Sequence, residues 1–194
     1  MKIVRSAVLV AAAAIVALAP TAAHADNYSH TDPVGDATSY TTATDTTGTP
    51  APDRVEGDVA WNKVRHGARA VTLTMRYREL TTADEKLHAY AIHTSKMTRY
   101  VYLYAGAGHW GGRVAMTNAH DKHVRCHVTR NIDYTANTAT VRIPRSCLGR
   151  PRWVKTAMFV GAFPSPTAQF PMYVDDANSN GTFENPRWSP RVYR

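Results

Sequence analysis

The feature that most constrains the fold is a strict alternation of apolar and polar residues in the segment AVTLTMRYR, which occupies positions 70–78. Its valine, leucine, methionine and tyrosine fall on one side of an extended chain, and its threonines and arginines fall on the other. Side chains of a β-strand alternate between the two faces of a sheet, so a period of two is typical of a half-buried strand. The segment therefore predicts a strand with one face in a core.

Other short runs rich in β-branched and aromatic residues follow the same pattern, at 87–94, 99–105, 112–118, 123–129 and 138–143. The continuously apolar stretch Val154–Phe163 predicts a central strand buried on both faces. One helical turn is predicted at Pro144–Gly149, with glycine at its end. Many short strands without a long helical period predict an all-β fold, a two-sheet antiparallel β-sandwich, with a closed β-barrel as the alternative.

The N-terminal segment has the pattern of a cleavable secretory signal peptide, residues 1–25. Lys2 and Arg5 precede an apolar run at 7–19, and Pro20 is followed by the small-residue site AHA at 23–25. The alternative is a membrane anchor, for which the run is short, because a spanning helix needs about 20 apolar residues. We expect a secreted, extracellular protein, with no transmembrane segment after cleavage.

The rest of the chain is predicted to form one domain, at 55–194. Residues 26–54 precede it as an N-terminal turn and a threonine-rich loop. The segment TSYTTATDTTGTPAPD at 38–53 contains almost no large apolar residue, so we expect an extended loop or arm.

Two cysteines remain in the exported chain, Cys126 and Cys147. In an oxidising compartment an even pair most simply forms one disulfide bond. The alternative is a free catalytic thiol.

The chain is basic, with a formal net charge of +8, and its cations thicken between Arg142 and Lys155. Outside a cell, a positive surface attracts anionic polymers such as an acidic envelope polymer. The alternative is a solvated face that serves solubility. No nucleic-acid-binding motif accompanies the charge, so we expect no specific nucleic-acid partner.

Oxygen-rich turns give two candidate sites for calcium. Asp176, Asn178 and Asn180 alternate before a glycine, as in the opening of a calcium loop. The glutamate expected at the twelfth loop position is missing, so Glu184 or Asp175 would have to substitute. The alternative is an ordinary Asn/Asp-rich turn.

The second candidate calcium site lies in the turn Asp32-Pro33-Val34-Gly35-Asp36 near the predicted mature N-terminus. Asp58 joins Asp32 and Asp36 there if the strand that follows it begins at the same end of the sandwich. The ligand chemistry is that of the first site, and calcium is the one cofactor that we expect.

A stripe of tyrosines marks a candidate ligand surface. Tyr100, Tyr102 and Tyr104 share one face of a predicted strand, and Trp110 lies in the glycine-rich turn after it. Aromatic rings with polar edges stack well on sugars, so the stripe favours a polysaccharide ligand. The alternative is a sheet face whose tyrosine hydroxyls simply reach water.

Motifs of known catalytic sites are absent from the sequence. It contains no G-x-S-x-G, S-x-x-K, H-E-x-x-H or P-loop pattern. A pair of acids brought together by folding would leave no such mark. We therefore expect a binding protein rather than an enzyme, and identify no catalytic residue.

With these motifs in order, the chain resembles small secreted hypothetical proteins of actinobacteria. The resemblance rests on six motifs: DPVGD at 32–36, GDV at 57–59 with VRH at 64–66, the strand at 69–80, IPRSCLG at 143–149, DDA at 175–177 and SPRV at 189–192. The opening turn is also similar to that of DOMON-like and family 9 carbohydrate-binding sandwiches, in which such turns hold calcium. The resemblance implies a sandwich fold and export, and it implies no particular activity.

Together these observations predict a secreted β-sandwich that binds a polysaccharide or an anionic envelope polymer and is stabilised by calcium. The alternatives are a secreted hydrolase whose site is assembled in space, and a structural or partner-binding protein. Two close carboxylates in a pocket would favour the hydrolase.

Overall fold

A computed structural model describes residues 26–165, 167, 170–178 and 187–194 of the chain. The predicted signal peptide and Asn180 lie outside these residues. Thirteen strands make up most of the described chain: β1 Asp26–Thr31, β2 Thr38–Tyr40, β3 Thr49–Pro50, β4 Val59–His66, β5 Ala70–Tyr77, β6 Glu85–His93, β7 Thr98–Ala105, β8 Arg113–Asn118, β9 Thr129–Asp133, β10 Thr138–Pro144, β11 Trp153–Phe163, β12 Met172–Asp176 and β13 Val192–Tyr193.

The strands form two antiparallel sheets that pack face to face. One has five strands in the order β1-β4-β5-β10-β9, and the other has eight in the order β3-β2-β12-β11-β6-β7-β8, with β13 paired to β11. Neither path closes on itself. The predicted β-sandwich is therefore confirmed, and the alternative of a closed barrel is wrong.

Period-two alternation places the core between the sheets. In β5 the side chains of Val71, Leu73, Met75 and Tyr77 are buried. They pack in one apolar cluster with residues of β6, β7, β10 and β11. The intervening threonines and arginine of β5 face outward, as the sequence predicts.

The apolar stretch near the C-terminus forms β11, which lies inside the larger sheet between β6 and β12. Its inward residues Val154, Met158 and Val160 belong to the main core. Its outward residues Ala157 and Phe159 are also buried, in a second apolar cluster on the outer side of the sheet. The prediction of a strand buried on both faces is confirmed.

A 3-10 turn at Arg145–Leu148 connects the two sheets, and it ends at Gly149 in the left-handed region, with φ 72°. Cys147 of this turn is bonded to Cys126, with Cα atoms 6.0 Å apart. The bond fastens the connection between β8 and β9 to the turn after β10, which confirms the predicted pairing.

Reducing this disulfide is expected to destabilise the fold. The bonded residues are 21 apart in sequence, and in the chain-entropy model a loop of this size contributes about 3 kcal/mol. Urea unfolding with and without a phosphine reductant measures the loss. The Cys126→Ser/Cys147→Ser variant should unfold at the lower midpoint in both buffers. Equal midpoints for the oxidised and reduced protein would contradict the prediction.

Two segments differ from their predicted structure. The threonine-rich stretch contains β2 and β3, which pair with each other at the edge of the larger sheet, so it is not wholly an arm. Residues 123–128 form no strand beyond a bridge between His123 and Thr117, because the disulfide at Cys126 holds this segment in place of a ladder. Within the described residues, no helix is long and apolar enough to cross a membrane.

Candidate functional site

Five aspartates come together at one end of the sandwich, and we call them the acidic pocket: Asp32, Asp36, Asp58, Asp175 and Asp176. Carboxylate oxygens of Asp32, Asp36 and Asp175 lie within 4.8 Å of one another. The charges of Asp58 and Asp176 act on these carboxyl groups from close by. Three segments that are remote in sequence thus supply oxygen atoms to one place.

The turn after β1 is held against the start of β4 by its own backbone. Gly35 has φ 82°, a conformation that glycine adopts without strain, and its N–H donates to Asp58 Oδ2 at 2.7 Å. The Asp32 N–H donates to the Ala60 carbonyl at 3.1 Å. The D-P-x-G-D sequence therefore folds so that both of its carboxylates face the residues around Asp58.

A hydrogen bond between the two sheets completes the pocket. The N–H of Val59, the first residue of β4, donates to Asp175 Oδ2 at 2.6 Å. Because β4 and β12 belong to different sheets, this bond closes the end of the sandwich beside the carboxylates.

Asp58 is the most enclosed of the five, with a side chain that is 0% exposed. Its Oδ2 accepts from the Gly35 N–H and from Arg78 Nη1 at 2.9 Å. Its Oδ1 is buried and has no hydrogen-bond partner, and the same holds for Oδ1 of Asp36. A buried carboxylate oxygen without a donor is costly unless something positive lies against it.

The pKa values of the pocket report crowded negative charge. Burial, together with the nearby charges of Asp36, Asp58 and Asp176, raises the pKa of Asp175 to about 8. Burial and the charges of Asp58 and Asp176 also raise the pKa of Asp36. Like charges in a low-dielectric site resist joint ionisation, and a bound cation would relieve that resistance.

Two residues of the predicted calcium loop at 176–181, Asp176 and Asn178, are held by hydrogen bonds within the chain. Asp176 lies in the acidic pocket, where its carboxylate accepts from the N–H groups of Asn178 and Arg187, at 3.0 and 3.3 Å. The Asn178 side chain is engaged in fastening the chain, because its amide donates to the Arg187 carbonyl at 2.9 Å. Asn180 lies outside the described residues.

Sequence reasoning missed the buried Asn62 of β4. Its amide donates to the Ala177 carbonyl and to Asn178 Oδ1, which secures the segment after β12 across the sandwich. The signal available was a polar residue at a position where the alternation of β4 requires an inward side chain. Such a residue needs a buried partner, although the sequence does not say which one.

The tyrosine stripe lies on the outer face of the larger sheet. Tyr100 and Tyr102 have parallel rings with centroids 6.5 Å apart and an angle of 14° between planes. The Tyr104 hydroxyl donates to Glu85 Oε2 at 2.6 Å. All three side chains are half-buried, so part of each ring faces solvent. Trp110 lies in the turn after β7, where its carbonyl accepts from the Tyr134 hydroxyl.

Small residues border the two stacked tyrosines. Ala91 is opposite Tyr100 on β6, while Ala89 and Ala115 are opposite Tyr102 on β6 and β8. Directly opposite residues in an antiparallel pair have close side chains, so bulky neighbours would cover the rings. These alanines are too small to cover the rings.

The cations between Arg142 and Lys155 are divided between the two sheets. Arg142 is exposed on β10 of the smaller sheet, whereas Lys155 lies on β11 of the larger one. Arg145 between them donates to the carbonyls of Ala68 and Pro151.

Comparisons with models of protein families, with curated proteins and with solved structures found no match.

Proposed function

We propose that this chain is an extracellular, non-enzymatic β-sandwich that binds a polysaccharide or an anionic envelope polymer, with a calcium ion in the acidic pocket. The observation that carries the calcium proposal is the buried Asp58 Oδ1. This oxygen accepts no hydrogen bond and lies near four other carboxyl groups. The disulfide between Cys126 and Cys147 supports an oxidising compartment, as an exported chain would meet.

Calcium suits the pocket better than other common ions. The candidate ligands are all carboxylate oxygens, which calcium accepts in flexible geometry and in numbers from six to eight. Zinc favours nitrogen and sulfur ligands in tetrahedral sites. Weak calcium sites of extracellular proteins have Kd values of about 10⁻⁴–10⁻³ M, so an ion held by these residues would be retained outside a cell.

The ion would act on the structure rather than on a reaction. Asp32 and Asp36 belong to the turn after β1, and Asp175 is the last residue but one of the inner strand β12. A cation shared by these groups would join the N-terminal turn to both sheets. Calorimetric titration of the EDTA-treated protein with calcium tests the proposal. One binding event, lost in Asp58→Asn, is expected, and absence of heat at millimolar calcium would refute it.

The tyrosine stripe is the proposed polysaccharide surface. Two parallel aromatic rings, bordered by alanines and each partly exposed to solvent, suit stacking against sugar rings.

Removing the stripe is expected to weaken polysaccharide binding. Tyr102→Ala deletes the ring between Tyr100 and Tyr104, and Trp110→Ala deletes the aromatic residue of the adjoining turn. Each loss is expected to weaken binding by about fivefold or more, because a lost aromatic contact is typically worth about 1 kcal/mol or more. A glycan array and cell-wall pull-down measure it. Tyr193→Ala, an exposed tyrosine of β13, is the matched control. Unchanged binding in both variants would exclude sugar stacking on this face.

One observation favours a hydrolase as the second candidate. The pocket contains close carboxyl groups, and a raised pKa such as that of Asp175 suits a general acid. Asp175 is only 4% exposed, however, so a glycosidic bond has little access to it, whereas an ion is far smaller than a sugar ring. Hydrolysis of a polysaccharide that is lost in Asp175→Asn would decide for the enzyme.

A further inference from the structure

The outer face of the five-stranded sheet is lined by cations and threonines. Lys63, Arg65, Arg76 and Arg142 are all exposed there, and within the described part of the chain none of them forms an ion pair. Threonines of β5 and β10 lie between them, and Thr74 and Thr140 share a hydrogen bond at 3.0 Å. Asp133 is an acidic residue of this face. Its carboxylate is engaged in capping the turn that follows β9.

A groove of about 420 Å³ opens at one end of this face. The register places Trp61 directly opposite Arg76, at a bulge in β4. Arg78 and Asn137 also line the groove. Its volume is within the ~300–1,000 Å³ typical of small-ligand sites, and it combines an aromatic side chain with two guanidinium groups.

The two arginines of the groove are held differently. Arg78 is fixed by its ion pair with Asp58, although a third of its side chain stays exposed. The Arg76 side chain is exposed, and its guanidinium group forms no hydrogen bond or ion pair with any described residue. A guanidinium group presents paired N–H donors that match the two oxygens of a carboxylate or a phosphate. The groove therefore has donors to spare for an oxyanion.

We propose that this groove binds a sugar residue that carries an oxyanion, with the ring against Trp61 and the anion between Arg76 and Arg78. The inference rests on the proposed function in taking the protein to bind a polysaccharide, and it assigns the anionic part of that ligand to a different sheet from the tyrosine stripe. The remaining cations of the face, Lys63 and Arg65 on β4, would lie along the path of a longer acidic chain.

Two features of the groove distinguish this ligand from others. A neutral sugar would leave the Arg76 guanidinium group without a partner in the complex, because only Arg78 is paired with Asp58, and a free anion would leave the indole unused. Single-stranded nucleic acid is the competing class of polymer.

Calorimetry on the full exported chain tests the site with four probes: trigalacturonic acid, galactose 6-phosphate, neutral galactotriose and single-stranded oligothymidylate. Both acidic sugars are expected to bind, and the stronger one identifies a carboxylate or a phosphate as the preferred anion. Arg76→Ala is expected to weaken this binding by at least about tenfold, since it removes hydrogen bonds to a charged group. Trp61→Ala should weaken it by a similar factor, and Trp61→Phe should retain most of it.

Arg142→Ala is the matched control, because it removes one exposed cation of the same face outside the groove. Its effect is expected to stay below about twofold, as for a screened distant charge. Equal losses in Arg76→Ala and Arg142→Ala would overturn the inference in favour of diffuse attraction. Equally tight binding of galactotriose, or binding of the oligonucleotide alone, would also overturn it.

The groove and the proposed function can fail separately. Acidic sugar that binds equally in calcium and in EDTA supports the groove without the calcium site. Acidic sugar that binds equally to the wild type and to Tyr102→Ala supports the groove without the tyrosine stripe.

Discussion

Addition of calcium at about 100 times its Kd is expected to raise the Tm of the protein by about 5–10 °C, and EDTA should reverse the increase. Ligand at this excess stabilises the folded state by about 2.7 kcal/mol, and each kcal/mol moves the Tm of a domain of this size by about 2–4 °C. The physical reason is the pocket's crowded charge, since a divalent cation removes repulsion that burial otherwise strengthens. Differential scanning calorimetry in calcium and in EDTA measures the effect.

Asp58→Asn is the decisive variant for this prediction. It keeps an oxygen that can accept from the Gly35 N–H, but it removes the charge that faces the pocket. The Tm of this variant should be nearly indifferent to calcium. Asp121→Asn removes an exposed carboxylate far from the pocket at a position with φ 55°, which asparagine tolerates, and it should respond to calcium as the wild type does. A full calcium response in Asp58→Asn would contradict the prediction.

The calcium effect should also grow with pH. The pKa of Asp175 is about 8 in the folded chain, against an ordinary value of 3.8, so between these pH values the folded protein without metal keeps a proton that the unfolded chain has lost. Stability in EDTA should therefore fall as pH rises from about 4 to 8. Calcium must displace that proton, so the Kd for calcium should fall from pH 6 to pH 8. A calcium-induced Tm shift that is the same at both pH values would argue against Asp175 as a ligand.

The sandwich could be predicted because buried and exposed side chains alternate along a strand, so that its apolar residues recur with a period of two. β5 and β7 each bury every second residue, and β11 is apolar on both sides because both of its faces are covered. Segments held by other means escaped prediction. The stretch 123–128 has β-prone composition, but its disulfide fixes it without a ladder, and the threonine-rich stretch pairs at a sheet edge where little apolar surface is needed.

The acidic pocket could be predicted only in pieces. The turns around Asp32 and Asp176 each carry a local oxygen-rich motif, yet their convergence depends on bonds between residues more than 100 positions apart, such as Val59 with Asp175. Asp175 serves as a candidate ligand for the N-terminal turn, whereas its sequence position suggests a role in the loop that follows it. A local sequence pattern indicates which residues can be metal ligands. The order of the strands in the sheets determines which of these residues lie close together.

Acidification is expected to destabilise the protein by about 5 kcal/mol through a single buried histidine. His88 of β6 points into the core, where Nδ1 lies 2.6 Å from the Tyr77 hydroxyl and the buried Nε2 has no partner. Burial, helped by the charge of Lys86, lowers the pKa of His88 to about 3 from 6.5. Because the unfolded chain binds this proton first, stability is lost as pH falls from about 6.5 towards 3, by about 1.4 kcal/mol per unit.

His88→Gln separates this effect from the titration of carboxyl groups. Glutamine can still accept from the Tyr77 hydroxyl but takes up no proton, so the variant should be less stable than the wild type at pH 7 and should lose less stability on acidification. Between pH 6.5 and pH 4 the wild type should lose about 3 kcal/mol more of its free energy of unfolding than the variant does. Urea unfolding in EDTA measures this difference. His120→Gln, which replaces an exposed histidine, should follow the wild-type curve. Parallel curves for wild type and His88→Gln would show that His88 accepts a proton in the folded core as readily as in the unfolded chain.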